Sequence, residues 1–246
     1  MRGIPSSALI LGGTREAAAL AARLSDLGVP RVLTSLAGRT VSPEMPAGDL
    51  RIGGFGGVDG LASFLRMENF DVLIDATHPF AATISQNAVE ASALTGTPYL
   101  ALRRPEWQAA DCDNWLSVAS IRDACDTIPA SARAFLALGR QHIGAFAARD
   151  DVHFIVRMVD PPETALPFRS CDLVIGKPSA DVETEAELLE AYRITHIVCR
   201  NSGGEGAYAK LLAARDRGLP VIMIERPPAP GGRSHPSIDA LLAAFN

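Results

Sequence analysis

The sequence predicts an α/β protein made of two Rossmann-like domains of parallel strands. Short aliphatic and β-branched runs alternate with longer segments of helical period, a pattern typical of parallel strands joined by right-handed crossovers. A strand, a glycine turn and an Ala-rich helix lie at residues 8–27. The same rhythm then returns in the second half of the chain.

The predicted elements follow in chain order. The first half gives strands at 8–11, 31–34, 71–74 and 99–102, with helices at about 15–27 and 79–94. The second half gives strands at 134–138, 152–156, 173–175, 196–199 and 221–224, with helices near 183–192 and 207–217.

A helix-stop pattern, Gly-X-Pro, occurs at 28–30, 96–98 and 218–220. The glycine can take the left-handed cap conformation, and the proline cannot continue the helix. Two of the strands that follow end alike, at Arg104-Pro105 and Arg226-Pro227, so 70–105 is echoed in 195–227. We interpret this as internal duplication, with chance repetition as the alternative. The expected domains are 1–110 and 111–246, hinged within 107–131.

Composition excludes several classes of protein. The net charge of −5 argues against a protein that coats nucleic acid, because phosphate contacts need a basic surface. The four cysteines have no CxxC spacing, so we expect neither a disulfide framework nor a metal site. No apolar run approaches membrane length. We expect a soluble cytoplasmic protein with a small-molecule ligand.

The turn after the first strand has the arrangement that binds a pyrophosphate. Glycines let the backbone approach a phosphate, and the first N–H groups of the helix point at it. The third glycine of GxGxxG is missing, so a purely structural Gly-Gly turn is the alternative. The candidate cofactor residues here are Gly12, Gly13, Thr14 and Arg15.

The second strand ends where a nucleotide fold meets the adenosine ribose. An NAD-type site places an acid there, but this segment carries Ser35 and Arg39 instead. A hydroxyl and a guanidinium suit a 2′-phosphate, which predicts NADPH rather than NADH. A surface arginine beside a turn is the alternative interpretation.

A glycine-rich loop at 51–57 adds a second candidate contact. Its glycines suit close backbone approach to a ligand, or a hinge, and a flexible surface loop is the alternative. Gly54, Phe55 and Gly56 are the cofactor candidates in this loop.

The segment 75–81 follows a strand and precedes a helix, which places it at the carboxyl edge where open α/β sheets bind ligands. Thr77, His78 and Pro79 are cofactor candidates. His78 is also the candidate catalytic residue, as a contact to the nicotinamide or a proton donor, and a structural role is the alternative.

These four segments together resemble the precorrin-6A reductase family of cobalamin (vitamin B12) synthesis. The likeness continues through residues 104–107, Gly139-Arg140 and 200–204 to Arg226-Pro227, and so spans nearly the whole chain. Arg200 departs from the pattern, in which lysine would precede Asn-Ser-Gly-Gly.

The resemblance implies a two-domain enzyme that transfers hydride from NADPH to a double bond of precorrin-6A, giving precorrin-6B. It implies that the nucleotide lies against the N-terminal glycine turn and that the substrate occupies the cleft between the two domains. A sister branch reduces the cobalt-containing analogue, and no motif separates the two. Transient contacts with neighbouring enzymes of the pathway are a further expectation.

Such a macrocycle carries many carboxylates, which call for scattered cations. Cations near predicted strand ends or helix starts are Arg104, Arg140, Arg157, Lys177, Arg200, Lys210 and Arg226. The expected substrate-binding set takes five of these with the loop before the last long helix: Arg104, Arg140, Lys177, Arg200, Lys210, Asn201, Ser202, Gly203 and Gly204. Each cation alone is typical of a solvated surface, and the group is what indicates a ligand.

Two rival functions stay open at this point. A nucleotide-sensing module without turnover would need the N-terminal turn but not the cations. An NADPH reductase of the dihydrodipicolinate type would leave most of the cations unused, because its substrate is a small diacid.

Overall fold

The computed structural model describes residues 3–38 and 45–245, and the chain divides into two compact units. Unit 1 comprises Met1–Pro105 and Pro227–Asn246, and unit 2 comprises Glu106–Arg226. Each unit contains one six-stranded sheet. The predicted fold class, α/β with two parallel-sheet domains, is confirmed.

Unit 1 begins with eight elements in chain order: β1 (Ser7–Leu11), α1 (Arg15–Asp26), β2 (Arg31–Leu36), β3 (Asp49–Ile52), α2 (Gly57–Glu68), β4 (Val72–Asp75), α3 (Ala82–Thr95) and β5 (Tyr99–Leu102). Unit 2 contains β6 (Trp115–Val118), α4 (Ile121–Thr127), β7 (Arg133–Ala137), a 3-10 turn (Ile143–Phe146), β8 (His153–Met158), β9 (Cys171–Ile175), α5 (Val182–Ala191), β10 (His196–Arg200), α6 (Ala209–Asp216) and β11 (Val221–Ile224). Unit 1 is then completed by β12 (Arg233–His235) and α7 (Ile238–Ala243).

Both sheets have the strand order of a doubly wound nucleotide-binding fold. The first runs β12-β5-β4-β1-β2-β3 and the second runs β6-β11-β10-β7-β8-β9. All neighbouring strands are parallel. In unit 1 this is the order 3-2-1-4-5-6, which reverses between the first and fourth strands. Unit 2 has the same spatial order when β7 is counted as its first strand, and β6, which precedes β7 in the chain, takes the sixth position. The reversal lies between β1 and β4 in unit 1, and between β7 and β10 in unit 2.

The C-terminal segment does not belong with unit 2, where the expected boundary of 111–246 placed it. Strand β12 pairs with β5, and Leu241 and Phe245 lie in the core of unit 1. The chain therefore leaves unit 1 after Pro105 and re-enters it at Pro227. A boundary drawn along the sequence could not reproduce this, because strand pairing joins segments that are distant in the chain.

The two sixth strands support the internal duplication. Each is followed by a serine that caps a short helix: Ser120 accepts from the amide of Asp123, and Ser237 accepts from that of Ala240. Strand β6 follows β5 in the chain but pairs with β11, whereas β12 follows β11 but pairs with β5. The two units thus share both the strand order and the capped helix after the edge strand.

Several elements differ from the predicted ones. Strands β3, β6 and β12 and helices α2, α4 and α7 were not predicted, and α3 begins at Ala82 rather than at residue 79. These strands lie at sheet edges and have three or four residues with partly exposed side chains, so they lack a continuous apolar run.

The sheet of unit 1 is covered on both faces. Alternate residues of β1 point to opposite sides: Ile10 packs with helices α1 and α7, and Leu9 packs with α2 and α3. In unit 2, Phe135 and Ile197 lie in a core that includes residues of α5 and α6. Because helices cover the sheet faces, polar side chains that meet a ligand are expected in the turns at the strand ends. Among the described residues, the helices are too short or too polar to span a bilayer.

The return of the chain to unit 1 gives a testable prediction. Leu241 is fully buried among residues of α1 and the sheet, so Leu241→Ala should lower the free energy of unfolding by about 2–5 kcal/mol. Leu94→Ala, at a side chain that is 56% exposed, should change it by less than about 0.5 kcal/mol. Urea unfolding measures both. Equal effects of the two substitutions would contradict the placement of α7 in the core of unit 1.

Candidate functional site

The turn between β1 and α1 is fixed to the turn after β4. The Thr14 hydroxyl donates to the carbonyl of Ala76 at 2.7 Å and accepts from the amide of Ala17 at 3.1 Å. The second bond caps α1. The Thr14 hydroxyl caps the amide of Ala17. The amides of Arg15 and Glu16 also lie in the first turn of α1, where helix geometry offers them no intrahelical carbonyl.

The two glycines of this turn have different roles. A Cβ on Gly12 would lie 2.7 Å from Thr34 Cγ2, so Gly12 is required by packing. Gly13 has φ of +104°, which an L side chain rarely adopts, and a Cβ there would meet nothing within 4 Å. The open space beside Gly13 is the kind of backbone cradle that a phosphate needs.

The glycine loop after β3 is held in place by Arg51. Its guanidinium donates to the carbonyls of Gly53 at 2.6 Å and Gly54 at 2.8 Å, and stacks on the ring of Phe55 at 4.1 Å. A Cβ on Gly54 or Gly56 would meet nothing within 4 Å. The contacts of Arg51 hold this loop in one conformation with open space along its backbone, which is not typical of a flexible surface connection.

The end of β2 carries the side chain expected near the adenosine ribose. Ser35 is buried at the carboxyl edge of the sheet, and its carbonyl accepts from the amide of Gly12 at 2.9 Å. Arg39, its expected partner, lies outside the described residues.

The segment after β4 is organised by a buried acid. Asp75 Oδ1 accepts from the amide of Thr77 at 3.0 Å and from its hydroxyl at 2.6 Å, and Oδ2 accepts from the Tyr99 hydroxyl at 3.1 Å. Burial and the neighbouring Asp75 carboxylate raise the pKa of Tyr99 well above its usual range. The Asp75 carboxylate thus shapes this turn from inside the fold.

The Asp75 turn presents His78 and Pro79. The amide of Phe80 donates to His78 Nδ1 at 3.3 Å, which leaves the proton of the neutral ring on Nε2. Pro79 is buried in the turn that precedes α3.

A small pocket at the carboxyl edge of unit 1 brings together predicted and unpredicted residues. It is lined by Thr14, Glu16, Ala76, Thr77, Pro79, Leu102 and Arg104. Arg104 Nη1 lies 2.6 Å from Glu16 Oε2, so the expected substrate cation has an acidic partner within unit 1. Glu16, Arg51 and Asp75 were not assigned roles from the sequence. In the sequence, each of these ionisable residues lies directly beside a glycine-rich or turn motif, and this position could have identified it as a candidate.

In unit 2 the loop from Asn201 to Gly204 is tied to the fold. The Asn201 amide exchanges two hydrogen bonds with the backbone of Trp107, at 2.9 and 3.0 Å, and the indole of Trp107 donates to the carbonyl of Gly204 at 2.7 Å. Arg226 donates to the carbonyls of Asn201 and Ser202 at 2.7 and 2.9 Å. Gly203 and Gly204 both have positive φ, at 66° and 74°.

The Asn201 side chain and the carbonyls of Asn201, Ser202 and Gly204 are therefore engaged in hydrogen bonds within the fold. The Asn201-Gly204 loop borders a cavity of about 510 Å³ lined by Trp107, Trp115, Asn201 and Arg226 among others. That volume lies within the range of small-molecule pockets.

Three of the expected substrate cations lie after or at the ends of the strands of unit 2. Arg140 follows β7, Lys177 follows β9, and Arg200 ends β10. The Arg140 side chain is 56% exposed and lies 3.7 Å from Glu163. Arg200 Nη1 lies 3.1 Å from His142 Nε2. The parallel sheet therefore places all three at one edge.

The remaining cations of unit 2 lie inside the fold. Lys210 is 3% exposed, donates to the carbonyl of Ala207 at 2.5 Å and lies 5.0 Å from the ring of Trp107. Burial lowers the pKa of Lys210. Arg157 is 8% exposed and pairs with Glu185 at 3.0 Å. Lys210 was expected to contact substrate, but its buried position gives it a structural role, as does that of Arg157.

In the described part of the chain, no group of three His, Cys, Asp or Glu side chains could hold a metal ion. The four cysteines are free thiols, and two of them, Cys125 and Cys199, are buried.

Comparison with known proteins places this geometry in a family. The family model described as precorrin-6x reductase CbiJ/CobK matches residues 7–246. The chain belongs to the precorrin-6x reductase family. It is 48% identical over 223 residues to a precorrin-6A reductase of Rhodococcus erythropolis, covering 90% of each chain. It is 30% identical to a cobalt-precorrin-6A reductase of Methanothermobacter thermautotrophicus, over 90% of this chain and 76% of the relative.

A solved structure, CobK precorrin-6A reductase, matches with a TM-score of 0.93 at 44% identity, covering 97% of this chain and 95% of that chain. The resemblance inferred from the four sequence segments is confirmed. The protein is an oxidoreductase of the precorrin-6x reductase family, and a reductase of this kind implies a nicotinamide cofactor.

Proposed function

We propose that this protein reduces precorrin-6A to precorrin-6B with NADPH, a step of cobalamin biosynthesis. The observation that carries the proposal is the open glycine turn at the β1/β4 reversal, in a chain 48% identical to a precorrin-6A reductase. Gly12, Gly13, Thr14 and Arg15 would hold the pyrophosphate, and Gly54, Phe55 and Gly56 would line the nucleotide.

The choice of NADPH over NADH is supported by the end of β2. Ser35 stands where an NAD-type site carries an acid. A carboxylate would repel a 2′-phosphate, whereas a hydroxyl beside arginine can donate to it. Arg39 stays part of this proposal on the sequence alone.

The choice of the metal-free substrate is supported by the relatives. Identity is 48% to the precorrin-6A reductase of R. erythropolis and 30% to the cobalt-precorrin-6A reductase of M. thermautotrophicus. We therefore propose precorrin-6A as the preferred substrate, and the cobalt form as the alternative substrate.

The chemistry divides between cofactor and protein. The bound nicotinamide supplies the hydride, and the protein binds, orients and protonates. Thr14 and Ala76 hold the two turns of unit 1 together, so the floor of the nucleotide site is set before any ligand binds. Thr77 and Pro79 line the same edge. Reduction of a double bond also needs a proton. We propose that His78 takes up a proton from solvent, donates it from Nε2 as the imidazolium and returns to the neutral ring.

We propose that the carboxylate arms of the substrate bind the cationic edge of unit 2. Arg140, Lys177 and Arg200 are the cations after or at the ends of its strands, and the amides of Ser202, Gly203 and Gly204 are additional donors. Arg104 keeps a role at the edge of unit 1, where its pairing with Glu16 orients the guanidinium. Lys210 and Asn201 are left out of this set, because the fold uses their side chains.

The proposal predicts cofactor oxidation that depends on the macrocycle. Under anaerobic conditions, loss of NADPH absorbance at 340 nm should start only when precorrin-6A is added, and should be slower with NADH or with the cobalt form. Binding of NADPH without oxidation would support a sensing module instead. Faster turnover of the cobalt form would reverse the choice of substrate.

The role of His78 predicts a loss in the chemical step. His78→Asn keeps an acceptor, Oδ1, near the position of Nδ1, where it can still accept from the amide of Phe80. It has no imidazolium proton to donate, so single-turnover reduction should slow about 100-fold. Anaerobic stopped-flow measurement with saturating NADPH checks this. An unchanged single-turnover rate would remove His78 as the proton donor while leaving the cofactor site intact.

The cationic edge predicts an effect on substrate binding. Arg140→Ala and Lys177→Ala should each raise KM for precorrin-6A about 5- to 10-fold with little change in kcat, since they remove contacts made equally in the ground state and the transition state. Arg122→Ala is the matched control, because that side chain of α4 is 90% exposed. If the three variants behave alike, these cations do not bind the substrate.

A further inference from the structure

The end of β3 carries a cation that the sequence patterns did not single out. Arg51 and Ser35 are register partners on the neighbouring parallel strands β3 and β2, so their side chains lie on the same face of the sheet. Arg51 Nη1 lies 3.4 Å from Ser35 Oγ. The cation therefore stands beside the residue at which a sheet of this order meets the adenosine ribose.

The position of the guanidinium is fixed by the fold. The carbonyls of Gly53 and Gly54 accept from Nη1 and Nη2 at 2.6 and 2.8 Å. The ring centroids of Phe55 and Phe64 lie 4.1 and 5.4 Å from the guanidinium carbon. A side chain already held in this way loses little further rotamer freedom when it binds an anion, which favours binding.

The charge and the donors of Arg51 leave capacity for an anion. Among residues 3–38 and 45–245, the partners of Arg51 are neutral: a hydroxyl, two carbonyls and two aromatic rings. Of about five N–H donors on an arginine, these bonds engage three. Stacking on Phe55 also shields one face of the guanidinium from water, which strengthens its attraction to a negative group.

We propose that Arg51 binds the 2′-phosphate of the adenosine ribose together with Ser35, and that it holds the glycine loop in the binding conformation. Arg51 is thereby a specificity-determining residue, in addition to Arg39 or in its place. The inference rests on the proposed nucleotide cofactor. The hydroxyl of Ser35 and the fork of Arg51 can both donate, and these bonds are stronger to a phosphate with charge between −1 and −2 than to the uncharged 2′-hydroxyl of a bare ribose.

Binding of two small probes tests this without the macrocycle. Calorimetric titration of the full chain with adenosine 2′,5′-bisphosphate and with 5′-AMP should show tighter binding of the bisphosphate. Arg51→Ala should weaken binding of the bisphosphate about 10-fold or more and binding of 5′-AMP by less than about 3-fold. Arg66→Ala is the matched control. It removes the same charge from α2 of the same unit, where Arg66 donates to the carbonyl of Leu94 at 3.1 Å.

A second variant keeps the test decisive if Arg51→Ala folds poorly. Arg51→Lys retains the charge but not the fork, so its preference for the bisphosphate should fall between those of the wild type and Arg51→Ala. Equal loss of both probes in Arg51→Ala would mean that Arg51 only holds the loop, and would overturn the phosphate contact. If the wild type binds neither probe, the cofactor proposal fails instead. Equal wild-type affinity for the two probes would refute the preference for NADPH and this inference together.

Discussion

The parallel pairing of β1 with β2 on one side and β4 on the other is the constraint on which the proposed nucleotide site depends. Parallel strands end at the same edge, so the turns after β1, β2 and β4 meet there although they lie up to about 60 residues apart in the chain. The hydrogen bond from Thr14 to the carbonyl of Ala76 then joins the first and last of these turns. Glycines beside that bond leave the backbone open to a ligand.

The charged residues at the carboxyl edge of the sheet differ between the two units. In unit 1 the acids of the edge are engaged: Asp75 holds its own turn and Glu16 pairs with Arg104. The corresponding end of β10 in unit 2 carries Arg200 instead of an acid. Two units of one strand order thus differ in the sign of the residue that ends the fourth strand. This difference accords with a nucleotide site in one unit and carboxylate contacts in the other.

The buried ionisable groups of unit 2 show why position near a strand end is not enough to indicate a binding residue. Lys210 and Arg157 met the same sequence criterion as Arg140 and Lys177, but their side chains turn inward. Burial of a charge needs compensating partners, and the fold supplies Ala207, Trp107 and Glu185 for that purpose. Trp107 and Glu185 lie in segments that are distant along the chain from these cations, so no local sequence pattern predicts that the two cations are buried.

The sequence by itself determined the fold class, the central strands with their crossovers, the glycine turn and the family, because these depend on local hydrophobic period and on motifs with few alternatives. It also located Ser35 and His78 at strand ends. Only the tertiary structure decided that residues 227–246 complete unit 1, that Arg51 lies beside Ser35, and that Lys210 is buried. The physical reason is that edge-strand pairing, side-chain direction and the partners of a buried charge are set by contacts between distant segments, which leave no periodic trace in either segment alone.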